Sequence, residues 1–146
     1  NNYGPRQGDE KLIPTVIRSI VRGDKIPVYG TGENIREWIH AEDHAKAIIE
    51  VLVTGEEQLY NIPGSEICTN IRLINNIINE LELLYPEYKR EPEGARIEYI
   101  EFVADRKGHD FKYELSTKHN LEAVKHQQSF SMTDTIKYYV EKYKAN

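Results

Sequence analysis

The stretch of residues 25–55, KIPVYGTGENIREWIHAEDHAKAIIEVLVTG, carries the clearest secondary-structure signals in the chain. It begins with β-branched and aromatic residues that run into a glycine-rich turn, and residues 35–41 then alternate as a second strand. The remainder is typical of a helix, because Glu42 and Asp43 stand at its start, where the helix dipole favours acids, and Gly55 closes it. The stretch therefore predicts two strands followed by a helix.

Helices and short strands also alternate on both sides of this stretch. Apolar residues recur at helical spacing over residues 12–21, with Pro14 tolerated in the first turn and Gly23 placed as the stop. A further helix has Thr69 as its N-cap and ends at Pro86. Its predicted buried stripe is Ile71, Ile74, Ile77, Ile78, Leu81 and Leu84. The other predicted elements are strands at residues 58–64 and 96–103 and helices at residues 116–126 and 131–144, with Ile136, Tyr139, Val140 and Tyr143 on one face of the last. The alternation predicts a mixed α/β fold.

Composition restricts the class of protein. The chain has 146 residues, 39% of them hydrophobic, which suffices for one modest domain. Its net charge of −5 argues against nucleic acid as a partner, because phosphate backbones require concentrated Lys and Arg. Cys68 is the only cysteine, and no apolar run approaches the roughly 20 residues that span a bilayer, so we expect a cytoplasmic protein without membrane contact. His40 and His44 lack an acidic third ligand, so no metal site is predicted.

Some patterns imitate cofactor or catalytic motifs. The glycines of YGTGENI begin a G-x-G-x-x-G spacing, but Ile35 replaces the third glycine and no helix pattern follows at once, which excludes a dinucleotide loop. Of two Tyr-x-x-x-Lys spacings, residues 85–89 contain a helix-ending proline and residues 138–142 lie on a surface helix. Trp38 is more typical of a core aromatic than of a stacking platform. None of these residues is predicted to be catalytic.

The loop VADRKGHDFKYEL, residues 103–115, gathers charged side chains around one glycine. Arg106, Lys107 and His109 supply positive charge or N–H donors, and Gly108 allows the backbone to approach a ligand closely, as an anion site requires. The alternative is a solvated surface turn, which is common for charged segments.

Six short motifs follow one another in a familiar order. They are NNYGP at residue 1, EKLIP at residue 10, PVYGTGENIREWIHAEDHAKAI at residue 27, YNIPG at residue 60, TNI at residue 69 and ADRKGHDFKY at residue 104. Together they resemble the C-terminal part of nucleotide-sugar 4,6-dehydratases of the dTDP-glucose 4,6-dehydratase type, which are extended short-chain dehydrogenases/reductases. The likeness extends to about Tyr113, and EKLIP and ADRKGHD distinguish it from epimerases and UDP-glucuronate decarboxylases. The tail departs from the family, because NLEAVKHQQSF lacks the usual Leu-Gly-Trp stretch.

The resemblance implies that residues 1–146 form the α/β substrate-binding C-terminal lobe of a larger enzyme whose N-terminal Rossmann half lies upstream, with residues 1–4 ending the last strand of that half. Asn2 would face the NAD cofactor. From the nucleotide to the sugar, the implied substrate-binding residues are Lys11, Leu12, Pro27, Val28, Tyr29, Arg36, Asn70, Asp105, Arg106, Lys107, Gly108 and His109, with Asn1 also facing the substrate.

The chemistry of these residues suits a nucleotide sugar. Its diphosphate carries two negative charges, and Arg36 and Arg106 can make forked, charge-assisted hydrogen bonds to it. Tyr29 supplies a flat apolar surface for the base, whether thymine or uracil. Asn70, at a predicted helix start, would add a donor beside backbone N–H groups that favour anions. The alternative for Arg36 is a salt bridge with a neighbouring acid, Glu37 or Glu42.

The reaction implied by the resemblance is oxidation of the sugar at C4 by NAD, loss of water across C5 and C6, and return of the hydride to C6. The catalytic residues would lie upstream of Asn1, so the isolated chain is expected to be inactive. The complete enzyme is expected to act on dTDP-glucose or UDP-glucose in deoxysugar biosynthesis and to form a homodimer. Alternatives are a nucleotide-sugar epimerase or decarboxylase, and a binding module without catalytic activity.

Overall fold

The computed structural model of the protein describes residues 1–54, 59–64, 66–89, 99–115 and 129–145. Its elements, in chain order, are β1 (Asn2–Tyr3), α1 (Leu12–Arg22), β2 (Ile26–Tyr29), β3 (Ile35–His40), α2 (Ala41–Thr54), β4 (Glu66–Thr69), α3 (Asn70–Leu84), a short 3-10 helix (Pro86–Tyr88), β5 (Ile100–Val103) and α4 (Met132–Lys144). The predicted mixed α/β fold is confirmed.

The strands of the described residues form two small sheets. In the first, the order is β1-β3-β4, with β1 parallel and β4 antiparallel to β3. In the second, β2 pairs in parallel with β5, so that Tyr29 lies opposite Val103 and the loop after each strand starts at the same edge. Parallel pairing thus brings the glycine turn after β2 next to the charged loop after β5, although about seventy residues separate them in the chain.

The helix α1 ends as its sequence predicts. Gly23 has a φ of 77°, a left-handed conformation that costs glycine little. Its N–H donates to the Ile20 carbonyl at 3.2 Å, and the Asp24 N–H donates to the Ser19 carbonyl at 2.8 Å. These two bonds form a Schellman motif, which satisfies carbonyls at the helix end.

The hydrophobic core lies between α1, α3 and α4. All four residues predicted for the apolar face of α4 are buried, and Tyr139 is fully inaccessible. The buried stripe of α3 differs from the prediction at three positions, because Leu73 is buried while Ile71 and Leu84 are only partly covered. The face of α3 that meets α1 and α4 is therefore rotated slightly towards Leu73. Thr69 is the N-cap as predicted, since its Oγ1 accepts the Arg72 N–H at 3.2 Å.

The strand predicted at residues 58–64 is wrong for its described part, because residues 59–64 form no strand and β4 begins only at Glu66. Gly64 explains the shift. A side chain there would begin 2.3 Å from the carbonyl oxygen of Trp38, so the backbone passes directly over β3 before it can pair with it. Pro63 also lacks an N–H for a ladder bond. The strand predicted at residues 96–103 is observed as β5, and residues 96–98 lie outside the described part.

Asp43 joins the last part of the chain to α2. Its side chain is fully buried, and its carboxylate accepts the backbone N–H groups of Ser129 and Phe130 at 3.1–3.2 Å. Phe130 also stacks on the ring of His40, with centroids 4.9 Å apart. The helix predicted at residues 116–126 lies outside the described residues. Among the helices that are described, none is long and apolar enough to cross a membrane.

Candidate nucleotide-sugar site

A cavity of about 730 Å³, here called the groove, opens between α1, β2, β3 and the loop after β5. This volume lies within the range of roughly 300–1,000 Å³ that is typical of small-molecule sites. Nearly all of the residues predicted by the resemblance line it, namely Asn1, Asn2, Lys11, Leu12, Pro27, Val28, Tyr29, Arg36, Asn70, Arg106 and His109. A smaller cavity of about 370 Å³ next to it adds Lys107 and Gly108. Asp105 lines neither cavity.

Arg36 lies on β3 and is only 7% exposed. Its guanidinium donates hydrogen bonds to the backbone carbonyls of Asp110 and of the preceding residue, Ile35, both at 2.7 Å. The ring of Tyr113 covers it, with the guanidinium carbon 4.7 Å from the ring centroid. The hydrogen-bond partners observed are backbone carbonyls and not Glu37 or Glu42, so the alternative of a salt bridge with these acids is wrong. The charge of Arg36 therefore remains free to attract an anion in the groove.

The neighbouring acid, Glu37, has a different task. It is 6% exposed, and its Oε2 accepts the backbone N–H of Leu115 at 3.1 Å. The same segment is bound to β3 through two backbone hydrogen bonds, from Ile35 to the Phe111 carbonyl at 2.8 Å and from Tyr113 to the Ile35 carbonyl at 3.2 Å. Residues 110–115 are thus attached along the edge of β3, which places the charged loop before them at the groove.

The loop wall of the groove consists of residues 105–109. The His109 N–H donates to the Arg106 carbonyl at 3.2 Å, and Gly108 between them has a φ of 71°. A positive φ at the third position of a four-residue turn is the requirement of a type II turn, and glycine meets it without strain. The turn directs Arg106 and His109 to the groove, and the guanidinium of Arg106 lies 5.1 Å from the ring centroid of Tyr29.

The loop wall also contains a carboxylate that faces away from the groove. Asp105 Oδ1 lies 2.6 Å from His109 Nδ1 and accepts the backbone N–H of Arg106 at 2.8 Å. The hydrogen bond from His109, and then that from the Arg106 N–H, hold the pKa of Asp105 below its usual value. Gly30 lies against this carboxylate, since a side chain there would begin 3.0 Å from Asp105 Oδ2.

The opposite side, the α1 wall, is formed by residues 7–18. Lys11, Thr15 and Arg18 follow at positions i, i+4 and i+7 and share one face of the beginning of α1. Thr15 Oγ1 and Arg18 Nη1 each donate to the carbonyl of Asp9 at 3.0 Å. Sequence reasoning named Lys11 and Leu12 but missed Gln7, Glu10, Thr15 and Arg18, although the helical spacing from Lys11 could have indicated the last two.

Helix α4 supports the α1 wall from behind. The hydroxyl of Tyr139 donates to the Gln7 carbonyl at 2.9 Å, and burial raises its pKa to about 12. Asp9 accepts hydrogen bonds from Lys142 Nζ at 2.6 Å and from the hydroxyl of Tyr143 at 2.8 Å. These bonds, the one from Lys142 first, lower the pKa of Asp9. The α1 wall is therefore attached directly to the hydrophobic core.

Asn70 corrects one expectation. Its side chain lines the groove as predicted, but the first backbone N–H groups of α3 are already bonded. The N–H of Asn70 donates to the Asn34 carbonyl and that of Ile71 to the Gly32 carbonyl, both at 3.0 Å, while Thr69 takes the third. The backbone N–H groups that were expected to favour an anion beside Asn70 therefore have protein partners, and the hydrogen-bond donor that α3 offers the groove is the amide side chain of Asn70.

Trp38 belongs to the hydrophobic core and also lines the groove. It is 6% exposed and packs in the core, as predicted, and one edge of it also faces the groove. Cys68 lies on β4 directly opposite Arg36 and is 5% exposed. Burial, and secondarily the charge of Glu66, raise the pKa of Cys68 to about 11, so the thiol is neutral at physiological pH.

The two glycines of the excluded dinucleotide motif have another use. Gly30 and Gly32 lie in the turn between β2 and β3 with φ values of 57° and 74°. Ile35 then begins a strand, whereas a dinucleotide loop would begin a helix. Of the residues described, Asn2 is the one proposed to face NAD, and its Oδ1 lies 2.9 Å from His44 Nδ1.

Comparisons with known proteins agree with the motifs. The model described as NAD dependent epimerase/dehydratase family matches residues 1–63. A dTDP-glucose 4,6-dehydratase from Neisseria gonorrhoeae is 47% identical over 116 residues, which are 77% of this chain and 33% of that protein. The chain belongs to the dTDP-glucose 4,6-dehydratase family. The resemblance to dTDP-glucose 4,6-dehydratases predicted from the sequence is thereby confirmed.

Solved structures of such dehydratases share the fold. The dTDP-glucose 4,6-dehydratase of Streptomyces venezuelae, crystallised with NAD and TDP bound, matches with a TM-score of 0.77 at 35% identity, over 100% of this chain and 42% of that one. A UDP-glucose 4-epimerase of Thermotoga maritima with UDP-glucose has a TM-score of 0.73 at 22% identity, over 99% and 44% of the two chains, which is a likeness of fold alone. The chain spans less than half the length of each of these relatives.

Proposed function

We propose that the complete protein is a nucleotide-sugar 4,6-dehydratase and that this chain supplies the part of it that binds the nucleotide sugar. The observation that carries the proposal is the pair of arginines on one groove. Arg36, bonded to carbonyls, and Arg106, over the ring of Tyr29, both line the cavity of about 730 Å³. Two positive charges beside an aromatic face match a diphosphate joined to a nucleoside.

The order of residues along the groove fits one orientation of the ligand. Lys11 and Leu12, at the start of α1, contact the edge of the nucleotide, and residues 27–29 contact its base and ribose. Arg36, Asn70 and the loop wall surround the diphosphate and the sugar. In this orientation Asn1 faces the substrate, Asn2 faces the cofactor, and Lys107 and Gly108 border the adjoining smaller cavity.

The chemistry itself requires residues that this chain does not supply. NAD, when bound, would supply the hydride acceptor for C4 of the sugar and the hydride donor for C6, with loss of water across C5 and C6 between the two transfers. The residues of this chain hold the substrate during these steps. The residues that move protons correspond to the part of the relatives that this chain does not span. The isolated 146 residues are accordingly expected to be inactive.

Product analysis of the complete protein tests the proposal. Incubation with dTDP-glucose or UDP-glucose and NAD is expected to yield the 4-keto-6-deoxy sugar, identified by mass spectrometry and NMR. A C4 epimer would instead identify an epimerase. A parallel incubation with UDP-glucuronate that releases CO2 and forms a pentose would identify a decarboxylase. Binding without turnover would identify a module that has kept only the groove.

The choice of base is a separate question that calorimetry answers. Tyr29 can stack on thymine or uracil, since the residue is 47% exposed and lines the groove. Titration of the complete protein with dTDP and with UDP measures the preference directly. The homodimer and the cytoplasmic location stay predictions, and light scattering of the complete protein tests the first of them.

A further inference from the structure

His109 has an unusual environment for a residue at a ligand groove. Its side chain is only 6% exposed, and both ring nitrogens have protein partners. Nδ1 lies 2.6 Å from Asp105 Oδ1, and Nε2 lies 2.9 Å from Arg106 Nη2. The three side chains thus form a chain of contacts from carboxylate to imidazole to guanidinium.

The donors and acceptors of this chain allow one assignment of protons. A guanidinium has five N–H groups and no acceptor, so the contact between Arg106 and His109 requires Nε2 to accept. The proton of the neutral ring must then be on Nδ1, where it is donated to Asp105. A doubly protonated ring would direct an N–H of His109 at an N–H of Arg106, and the contact between them would be lost.

The carboxylate of Asp105 is itself held by contacts on both of its oxygens. Its Oδ1 accepts the Arg106 N–H at 2.8 Å, and its Oδ2 lies against Gly30, where even a methyl group would begin only 3.0 Å away. The parallel pairing of β2 with β5 brings these two loops together. The carboxylate of Asp105 therefore orients the imidazole of His109, and the imidazole in turn orients the guanidinium of Arg106.

We infer that Asp105 and His109 are positioning residues, which hold Arg106 over Tyr29 by keeping His109 as the neutral Nδ1–H tautomer. The inference rests on the proposed function, because the ligand that benefits is the diphosphate of a nucleotide sugar. With one guanidinium nitrogen bonded to His109 and the guanidinium carbon 5.1 Å from the ring centroid of Tyr29, the other N–H groups of Arg106 are oriented before the ligand arrives. An oriented donor loses less conformational freedom when it binds.

The sign of one mutational effect separates this inference from simple electrostatics. Asp105 carries a negative charge close to a site for an anion. If it acted only through its charge, Asp105→Ala would strengthen the binding of a diphosphate. If it positions His109 and Arg106, the same substitution weakens binding, because the imidazole loses its acceptor and the guanidinium its orientation.

The binding experiment uses the complete protein and calorimetric titration with dTDP-glucose and UDP-glucose. Asp105→Ala is expected to weaken binding about tenfold, the scale of one lost charge-assisted hydrogen bond. Asp105→Asn, which keeps an acceptor oxygen without the charge, is expected to restore most of the affinity. Glu101→Gln is the matched control, because it removes the same charge from an exposed position on β5 and leaves the affinity unchanged. Circular dichroism verifies that each variant is folded.

A second measurement does not depend on the substrate. Long-range 1H–15N spectra of histidine-labelled complete protein at pH 7.5, assigned with a His109→Gln variant, report which ring nitrogen carries the proton. We expect Nδ1–H for His109, and a change of tautomer in Asp105→Ala. An Nε2–H or doubly protonated ring, or unchanged or tighter binding in Asp105→Ala, overturns the inference. If the wild type binds neither nucleotide sugar, the proposed function fails, and the tautomer still decides whether Asp105 and His109 hold Arg106.

Discussion

The two walls of the groove are stabilised in different ways. The α1 wall is bonded to the core through α4, where Tyr139 is fully buried and donates to the Gln7 carbonyl. The loop wall depends on its own side chains and its turn, and Asp105 and Arg106 are exposed. Arg36 lies between them, bonded to backbone carbonyls. The difference indicates that substitutions in the first wall change stability, while substitutions in the second change ligand binding.

The largest effect is expected at Tyr139. Tyr139→Ala in the complete protein should lower the free energy of unfolding by about 3–5 kcal/mol, because it empties a buried aromatic position. The neighbouring Tyr138, which is 37% exposed, is the matched control, and Tyr138→Ala should cost about 1 kcal/mol or less. Denaturant unfolding measures both. Equal losses would show that α4 does not support the α1 wall through Tyr139.

Arg36 should combine both kinds of effect. Arg36→Ala removes the donor from the carbonyls of Ile35 and Asp110 and is expected to lower the free energy of unfolding by about 2–3 kcal/mol. It should also weaken nucleotide-sugar binding in calorimetric titration. Arg22→Ala, at an exposed position at the end of α1, removes the same charge and should change stability by no more than about 0.5 kcal/mol. A stable Arg36→Ala variant would contradict the structural role of the carbonyl bonds.

Arg106 should affect binding without affecting stability. Arg106→Ala is expected to weaken nucleotide-sugar binding by about 1.5–3 kcal/mol, the scale of a hydrogen bond to a charged group. Its unfolding free energy should remain within about 0.5 kcal/mol of the wild type. Calorimetric titration and denaturant unfolding provide the two values. Unchanged affinity would assign Arg106 to the solvated surface.

Tyr139, behind the α1 wall, and Asp105, on the loop wall, should contribute to the pH dependence of stability at opposite ends of the pH range. Tyr139 has its pKa raised to about 12 from 10.0, so its contribution is complete below pH 10 and is lost as the pH rises towards 12. Asp105 has a lowered pKa, so its contribution is present above its unfolded value and is lost as the pH falls through the folded one. Tyr139→Phe should flatten the alkaline limb of the stability curve, and Asp105→Asn the acid limb. A variant whose limb is unchanged would refute the assignment for that wall.

Local sequence signals predicted the elements that depend on local chemistry. The apolar spacing before Gly23 and the Thr69 cap predicted α1 and the start of α3 because both signals act within a few residues. The strand at residues 58–64 could not be excluded in this way. Its failure depends on the closeness of Gly64 to Trp38, which is a contact between segments distant in the chain.

The site shows the same division. The motifs and their family resemblance selected residues most of which line one groove, but they could not reveal what each contacts. Arg36 has neighbouring acids in sequence, yet its partner is the carbonyl of Asp110, 74 residues away. The N–H groups of α3 looked available at Asn70 and are taken by Gly32 and Asn34. Such partners follow from the crossing of chain segments, which residue types alone do not determine.

Cys68 can serve as a chemical reporter of ligand binding, because it lies opposite Arg36, which lines the groove. It is 5% exposed on β4, opposite Arg36, and its pKa of about 11 leaves it almost without thiolate near neutral pH. Because Cys68 is packed in the hydrophobic core, an alkylating reagent can reach a reactive sulfur only when local opening exposes it. The labelling rate at a fixed pH therefore measures how often that opening occurs. A nucleotide sugar that holds Arg36 in place would slow the labelling. The interior thiol thus converts occupancy of the groove into a rate that can be followed without any turnover.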